Sequence, residues 1–151
     1  YDTIFESILE QLPEQGGLYT SPLQRCSILA QHIQEAKGIP IVAEEPRLKE
    51  MHFGDWELQA WNAIPRTVLD PWMNDFVNVA VPNGESFMDL EKRVWEFLEE
   101  KLEKPNEKPL ILVTHSGVIR SVLCRINNIP LQEAFATPLD YGVVVKVEYT
   151  R

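Results

Sequence analysis

The stretch Leu110-Ile111-Leu112-Val113-Thr114-His115-Ser116-Gly117-Val118-Ile119-Arg120 constrains the fold more than any other part of the chain. Four apolar residues follow a Pro109 break, the pattern of a short strand buried on both faces. The character then changes within a few residues. Ser116 and Gly117 permit a tight turn, and Val118, Ile119, Val122, Leu123 and Ile126 recur at helical spacing. His115 therefore falls where a buried strand passes into a helix. In an open α/β sheet that is where ligands bind, facing unpaired backbone N–H groups and the positive end of the helix dipole. An imidazole placed there titrates near neutral pH or donates a hydrogen bond to an anion. The plainer alternative is a polar strand-end residue bonded to a neighbouring loop.

Length and charge narrow the function classes. A chain of 151 residues fits one domain with a substantial core. The net charge of −9 excludes a general nucleic-acid or anionic-membrane binder, which needs a basic face, but leaves room for an anionic small substrate held by local cations. No apolar run approaches the roughly 20 residues that span a bilayer. Cys26 and Cys124 form no CxxC pair and are too few for a secreted disulfide framework, so they read as structural thiols of a cytoplasmic protein. No HxH, HExxH or Cys/His cluster occurs, so no metal is expected.

The remaining elements follow in order. Ile4, Phe5, Ile8, Leu9 and Leu12 make a helical stripe at the very start, with Tyr rather than Met at residue 1 and no strand ahead of it; a natural beginning before Tyr1 is expected. Leu18-Tyr19-Thr20 reads as a strand, and Ser21, Pro22 and Gln24 as the capping box of a helix that Gly38 stops. Arg25 then lies in a first helical turn, where a cation is misplaced unless an anion sits beside it; a solvated arginine is the alternative. Ile41-Val42-Ala43 gives another strand. The segment at about 47–86 carries Trp56, Trp61 and Trp72 among the breakers Pro65, Pro71 and Pro82, and reads as a lid-like insertion. Its tryptophans are first of all packing anchors.

Within that segment Glu50, Asp55 and Glu57 crowd against aromatic residues. A carboxyl held against such rings keeps its proton to higher pH and can act as a general acid, and spacing alone does not choose among the three. His52 would share the face of Glu50 in a strand, and His32 reads as a solvated helix residue. Pro82 to Ser86 turn into a long helix reaching about Glu103, with Ser86 and Asp89 at its start and a solvated charge run, Glu99 to Lys104, at its end. Beyond Pro130, Val143 to Val147 gives a last strand.

Three pieces together resemble the histidine phosphatase (phosphoglycerate mutase-like) superfamily. Tyr19 to Cys26 is similar to its SSPLxRA segment, Leu48 to Glu57 to its LxExxFGxWEG segment, and Val113 to Arg120 to its VSHGGVIR segment, with Gly84-Glu85-Ser86 between the last two. Within the superfamily, Arg25-Cys26 with Leu29-Ala30, Phe53 to Glu57 with Trp61, Ile64 and Pro65, and Trp72 ahead of the Gly-Glu-Ser turn resemble the alpha-ribazole phosphatases. The resemblance implies a three-layer α/β sandwich, mostly parallel, spanning residues 1–151 as one N-terminally incomplete domain without its first strand. It implies a metal-free, cofactor-free phosphomonoesterase that passes the phosphoryl group to a histidine and then to water. Arg25, His115 and the N–H of Ser116 would bind phosphate, His115 would stabilise transition-state charge, and Glu50 would protonate the leaving alkoxide and activate water. Trp56, Glu85 and Ser86 would contact the rest of the substrate.

The family's Arg-His motif, with the nucleophilic histidine, has no counterpart in this sequence, and neither His32 nor His52 sits in a matching context. The expected substrate is alpha-ribazole 5′-phosphate or adenosylcobalamin 5′-phosphate. The alternatives are a broad-specificity sugar-phosphate or phosphoglycerate phosphatase or mutase, and a non-catalytic phosphate-binding module. The expected partner is a small-molecule phosphate ester, with neither nucleic acid nor membrane, and a homodimer is left open.

Overall fold

The computed structural model describes residues 3–103, 108–136, 138–140 and 142–148. Helix α1 (Thr3–Gln11) leads to β1 (Gly17–Thr20), α2 (Gln24–Lys37) and β2 (Ile41–Glu44). Three 3-10 turns, Pro46–Leu48, Gly54–Trp56 and Trp61–Ala63, precede α3 (Arg66–Asn74) and α4 (Phe87–Leu102). Strand β3 (Leu110–Val113), α5 (Ser116–Ile126) and a 3-10 segment, Leu131–Ala136, complete the order.

The three strands form a parallel sheet in the order β2-β1-β3. Leu18 pairs with Ile111 and Thr20 with Val113. The two-residue period of a strand sends alternate side chains to opposite faces. Leu18, Ile111 and Val113 pack with Cys26, Ala30 and Ile33 of α2 and with Phe5 and Leu9 of α1. Tyr19, Leu110 and Leu112 pack on the other side against Leu90, Val94, Phe97 and Leu98 of α4 and Val118 of α5. The result is helix, sheet, helix, the layering that a parallel sheet requires. β3 is covered on both faces as expected, but Ile111 and Val113 are more deeply buried than Leu110 and Leu112. Among the described residues no helix is long and apolar enough to cross a membrane.

Caps and stops account for the helix ends. Gly38 ends α2 in the left-handed conformation at φ 69°, its N–H on the Gln34 carbonyl. Ser86 and Asp89 exchange both bonds of a capping box at the start of α4.

Several expectations are corrected. Ser21 does not cap α2: Leu23 takes that position, and Ser21 Oγ accepts from the N–H of Leu23 at 3.2 Å, one residue ahead of the helix, while lying 2.9 Å from His115. Pro71 lies inside α3, where it forfeits a single N–H and the helix ends three residues later. The charge run is exposed at Glu99, Glu100 and Glu103 as expected, and Glu100 in addition accepts two bonds from Arg47 at 2.8 and 2.9 Å; Lys104 lies outside the described residues. His32 is half-buried, its ring edge-on to Phe5 at 5.8 Å. Val143 to Val147 forms no strand. Gly142, at φ 80°, sits so close to Ile4 of α1 that a Cβ there would lie 2.6 Å from it, and the residues that follow, through 148, carry no regular structure.

Candidate active site

Two strand ends converge. β1 and β3 are adjacent and parallel, so the residues following them, Ser21 and His115, come side by side at one end of the sheet. Ser21 Oγ lies 2.9 Å from His115 Nε2, and the Ser21 N–H donates to the Val113 carbonyl at 2.9 Å. One helical turn further, Arg25 Nη2 lies 3.5 Å from His115 Nδ1 and Cys26 Sγ lies 3.5 Å from Nε2. Arg25 is exposed while Ser21, Cys26 and His115 are buried, so the guanidinium faces outward over a buried imidazole.

Glu50 arrives from the loop after the first 3-10 turn. Its Oε2 accepts from the Gly117 N–H at 3.2 Å, in the first turn of α5, and its Oε1 from its neighbour Met51 at 3.0 Å. The approach is possible only because residue 117 is glycine, since a Cβ there would collide with the Glu50 carboxylate. Thr114 Oγ1 donates to the Leu48 carbonyl at 2.6 Å and so ties the same loop to the end of β3.

Burial is the chief cause that lowers the His115 pKa below the ordinary histidine value. The Glu50 carboxylate works against it, and the Arg25 and Arg93 guanidiniums add to the lowering. The ring is therefore neutral at neutral pH, with one nitrogen able to donate and the other to accept. Burial likewise raises the Cys26 thiol, against the pull of Arg25, so it is protonated and a poor nucleophile.

Arg25, Glu50, His115 and Ser116 are thus brought together around the start of α5. The other carboxyl candidates are engaged elsewhere: Asp55 accepts from Asn83 Nδ2 and Glu57 from the Phe53 N–H. His52 does not share a face with Glu50, because the segment is no strand; its side chain is exposed and its backbone pairs with Glu85. Trp56 is buried among Trp61, Trp72 and Phe53. Glu85 is paired with Arg93, and Ser86 caps α4.

Sequence reasoning assigned Ser21 to a cap and Cys26 to the core, and passed over Arg93 altogether. The only local signal for Ser21 is that it follows a buried strand adjacent to the one ending in His115. Among the described residues no group of three or more His, Cys, Asp or Glu is arranged to hold a metal ion.

Comparison with known proteins adds a family. The model of the Histidine phosphatase superfamily (branch 1) matches residues 6–151. Adenosylcobalamin/alpha-ribazole phosphatase of Salmonella typhimurium is 28% identical over 81% of this chain and 61% of its own length. Phosphoserine phosphatase 1 of Hydrogenobacter thermophilus is 26% identical over 84% of this chain and 63% of its own. The solved structure of Bacillus stearothermophilus YhfR superposes with a TM-score of 0.74 at 27% identity, covering 92% of this chain and 71% of that one. The chain spans about three fifths of the length of these curated relatives.

Proposed function

The chain belongs to the histidine phosphatase superfamily, and from that membership we propose that Arg25, Glu50 and His115 serve the hydrolysis of a small phosphate monoester through a phosphohistidine intermediate. The observation that carries this reading is the meeting of a guanidinium, a neutral imidazole and a carboxylate at the first turn of α5. Phosphoryl transfer depends on positioned cations and donors more than on covalent assistance. Arg25 clamps two phosphoryl oxygens. His115 donates to a third, and the N–H of Ser116 adds a donor at the positive end of α5.

In the first step the ester P–O bond breaks as a histidine nitrogen takes the phosphorus, and Glu50 gives its proton to the leaving alkoxide. In the second, Glu50 takes a proton from water, whose oxygen displaces the histidine. None of His32, His52 or His115 is assigned as that nucleophile; in the family the Arg-His motif supplies it.

The substrate assigned is alpha-ribazole 5′-phosphate or adenosylcobalamin 5′-phosphate. Support comes from the name of the Salmonella relative and from the aromatic segment. A concave pocket of about 140 Å³ is lined by Phe53, Trp56, Leu58, Trp61 and Ile64 together with the polar Glu57 and Gln59, with Trp61 more than half exposed and stacked on Trp72 at 5.8 Å. Such a wall suits a flat heteroaromatic base. Residues 1–151 then act as one domain, with 47–86 recognising the part of the ester beyond its phosphate.

The test is kcat/KM of the intact protein on alpha-ribazole 5′-phosphate, 3-phosphoglycerate and O-phosphoserine, with and without EDTA. Highest kcat/KM on alpha-ribazole 5′-phosphate and indifference to EDTA are expected. A preference for either small phosphate favours a broad-specificity enzyme instead. Phosphate binding by calorimetry with no turnover leaves a binding module.

A further inference from the structure

Arg93 lies on α4, on none of the segments that carry the site, yet two of its N–H bonds reach carbonyls of the loop that holds Glu50 and two more grip Glu85, which itself bonds that loop. Its Nε and Nη2 grip both oxygens of Glu85 at 2.8 and 2.9 Å. Nη1 donates to the Arg47 carbonyl at 2.7 Å and Nη2 also to the Glu50 carbonyl at 3.1 Å. Glu85 completes the clamp, its Oε1 accepting from the His52 N–H and its own N–H donating to the His52 carbonyl, both at 2.8 Å. The side chains of Arg93 and Glu85 are each only 20% exposed, so these bonds face little competition from water.

Together they fix the backbone at residues 47, 50 and 52 from the α4 side, while Thr114 fixes residue 48 from the β3 side. From inside this frame the Glu50 side chain reaches the first turn of α5, where its Oε2 accepts from the Gly117 N–H. A planar fork that binds a carboxylate and two carbonyls at once is beyond the reach of lysine.

The geometry points to Arg93, with Glu85, as the positioning device of Glu50: it holds the carboxylate against the Gly117 N–H and so in line with the leaving oxygen. The inference rests on the proposed phosphatase reading for its kinetic consequence, but not for its structural one. A proton donor displaced by about an ångström loses much of its effect. The loss must fall on esters whose leaving group needs that proton, because a good leaving group departs without it.

The experiment compares Arg93→Lys, Glu85→Gln and wild type in the intact protein by two readouts. The first is kcat on an alkyl phosphate and on an aryl phosphate with a nitrophenolate leaving group. Arg93→Lys is expected to lose roughly 10–10²-fold on the alkyl ester and much less on the aryl ester, with KM for both held, and Glu85→Gln to move in the same direction by less. Neither variant should slow an enzyme already carrying Glu50→Gln any further.

The second readout is the Gly117 amide resonance, which should move toward its position in Glu50→Gln in both variants. Equal losses on the two esters, or a Gly117 amide unmoved in a folded variant, would overturn the assignment. If wild type hydrolyses neither ester, the phosphatase reading falls and the Gly117 amide alone decides this one.

Discussion

Two kinds of helix start occur in this chain, and they differ in what their hydrogen bonds serve. α4 is closed at its front by reciprocal bonds between Ser86 and Asp89. α2 and α5, which follow the paired strands β1 and β3, have no side-chain cap at all. Ser21 Oγ accepts from the Leu23 N–H ahead of α2 at 3.2 Å and reaches His115 at 2.9 Å, and the first turn of α5 lends the Gly117 N–H to Glu50. A capped start favours stability. An uncapped one leaves donors for a ligand. The distance between these two uses is what sets the site apart from its support.

The comparison breaks most decisively at the uncapped pair. In the intact enzyme His115→Ala and Glu50→Gln should each lower kcat by roughly 10²–10⁴-fold; a wild-type rate in either would remove that residue from the chemistry. Gly117→Ala comes next. The new methyl takes the space of the Glu50 carboxylate, and a loss of roughly 10–10²-fold in kcat is expected while calorimetry still detects phosphate at the Arg25 side.

Third is the pH dependence of stability. The folded imidazole of His115 is held below its unfolded pKa, chiefly by burial. The unfolded chain therefore takes up the proton first, and the unfolding free energy falls as pH drops through and below the ordinary histidine range. Glu85 adds a second decline at lower pH. Burial works to raise its carboxyl, but the Arg93 fork and the His52 N–H outweigh it and hold the folded value below the carboxylate range. Urea denaturation across pH should show both declines, and His115→Gln should erase the first alone.

The smallest effect separates the two kinds of start directly. Asp89→Ala should cost about 1 kcal/mol, whereas Gln24→Ala, at a start with no box, should stay within about 0.5 kcal/mol. Equal costs would mean that the Gln24 side chain caps in solution.

The layers of the fold were legible because they rest on local periods. Leu110 to Val113, the stripe from Phe87 to Leu102 and the glycine stop after Lys37 each announce themselves within a few residues. Arg25 and His115 could be singled out because their positions at strand-to-helix junctions are local facts. The choice of Glu50 over Asp55 and Glu57 could not come from spacing, since what distinguishes Glu50 in the structure is its bond to a glycine 67 residues away. The resemblance, not the pattern, pointed to it. Arg93 was silent for a similar reason: on a helix with many charged positions, nothing local marks the one that turns inward. Val143 to Val147 is a β-branched run of the kind that favours a strand, but such a run by itself does not supply a partner to pair with.

Gly54 and Gly84 meet backbone to backbone, a Cβ on Gly84 lying 2.8 Å from the Gly54 nitrogen, and the Asp55 N–H bonds the Pro82 carbonyl at 2.9 Å. A junction too tight for a methyl group is also too tight to slide. The aromatic segment is therefore riveted at its root to the front of α4, the same helix whose Arg93 steadies Glu50. Its rim, where Trp61 and the fully exposed Leu58 sit, is the part without such a rivet. A rim displaced about that fixed point would leave Glu50, the general acid of the proposed reaction, in place while the wall met the bulk of an ester.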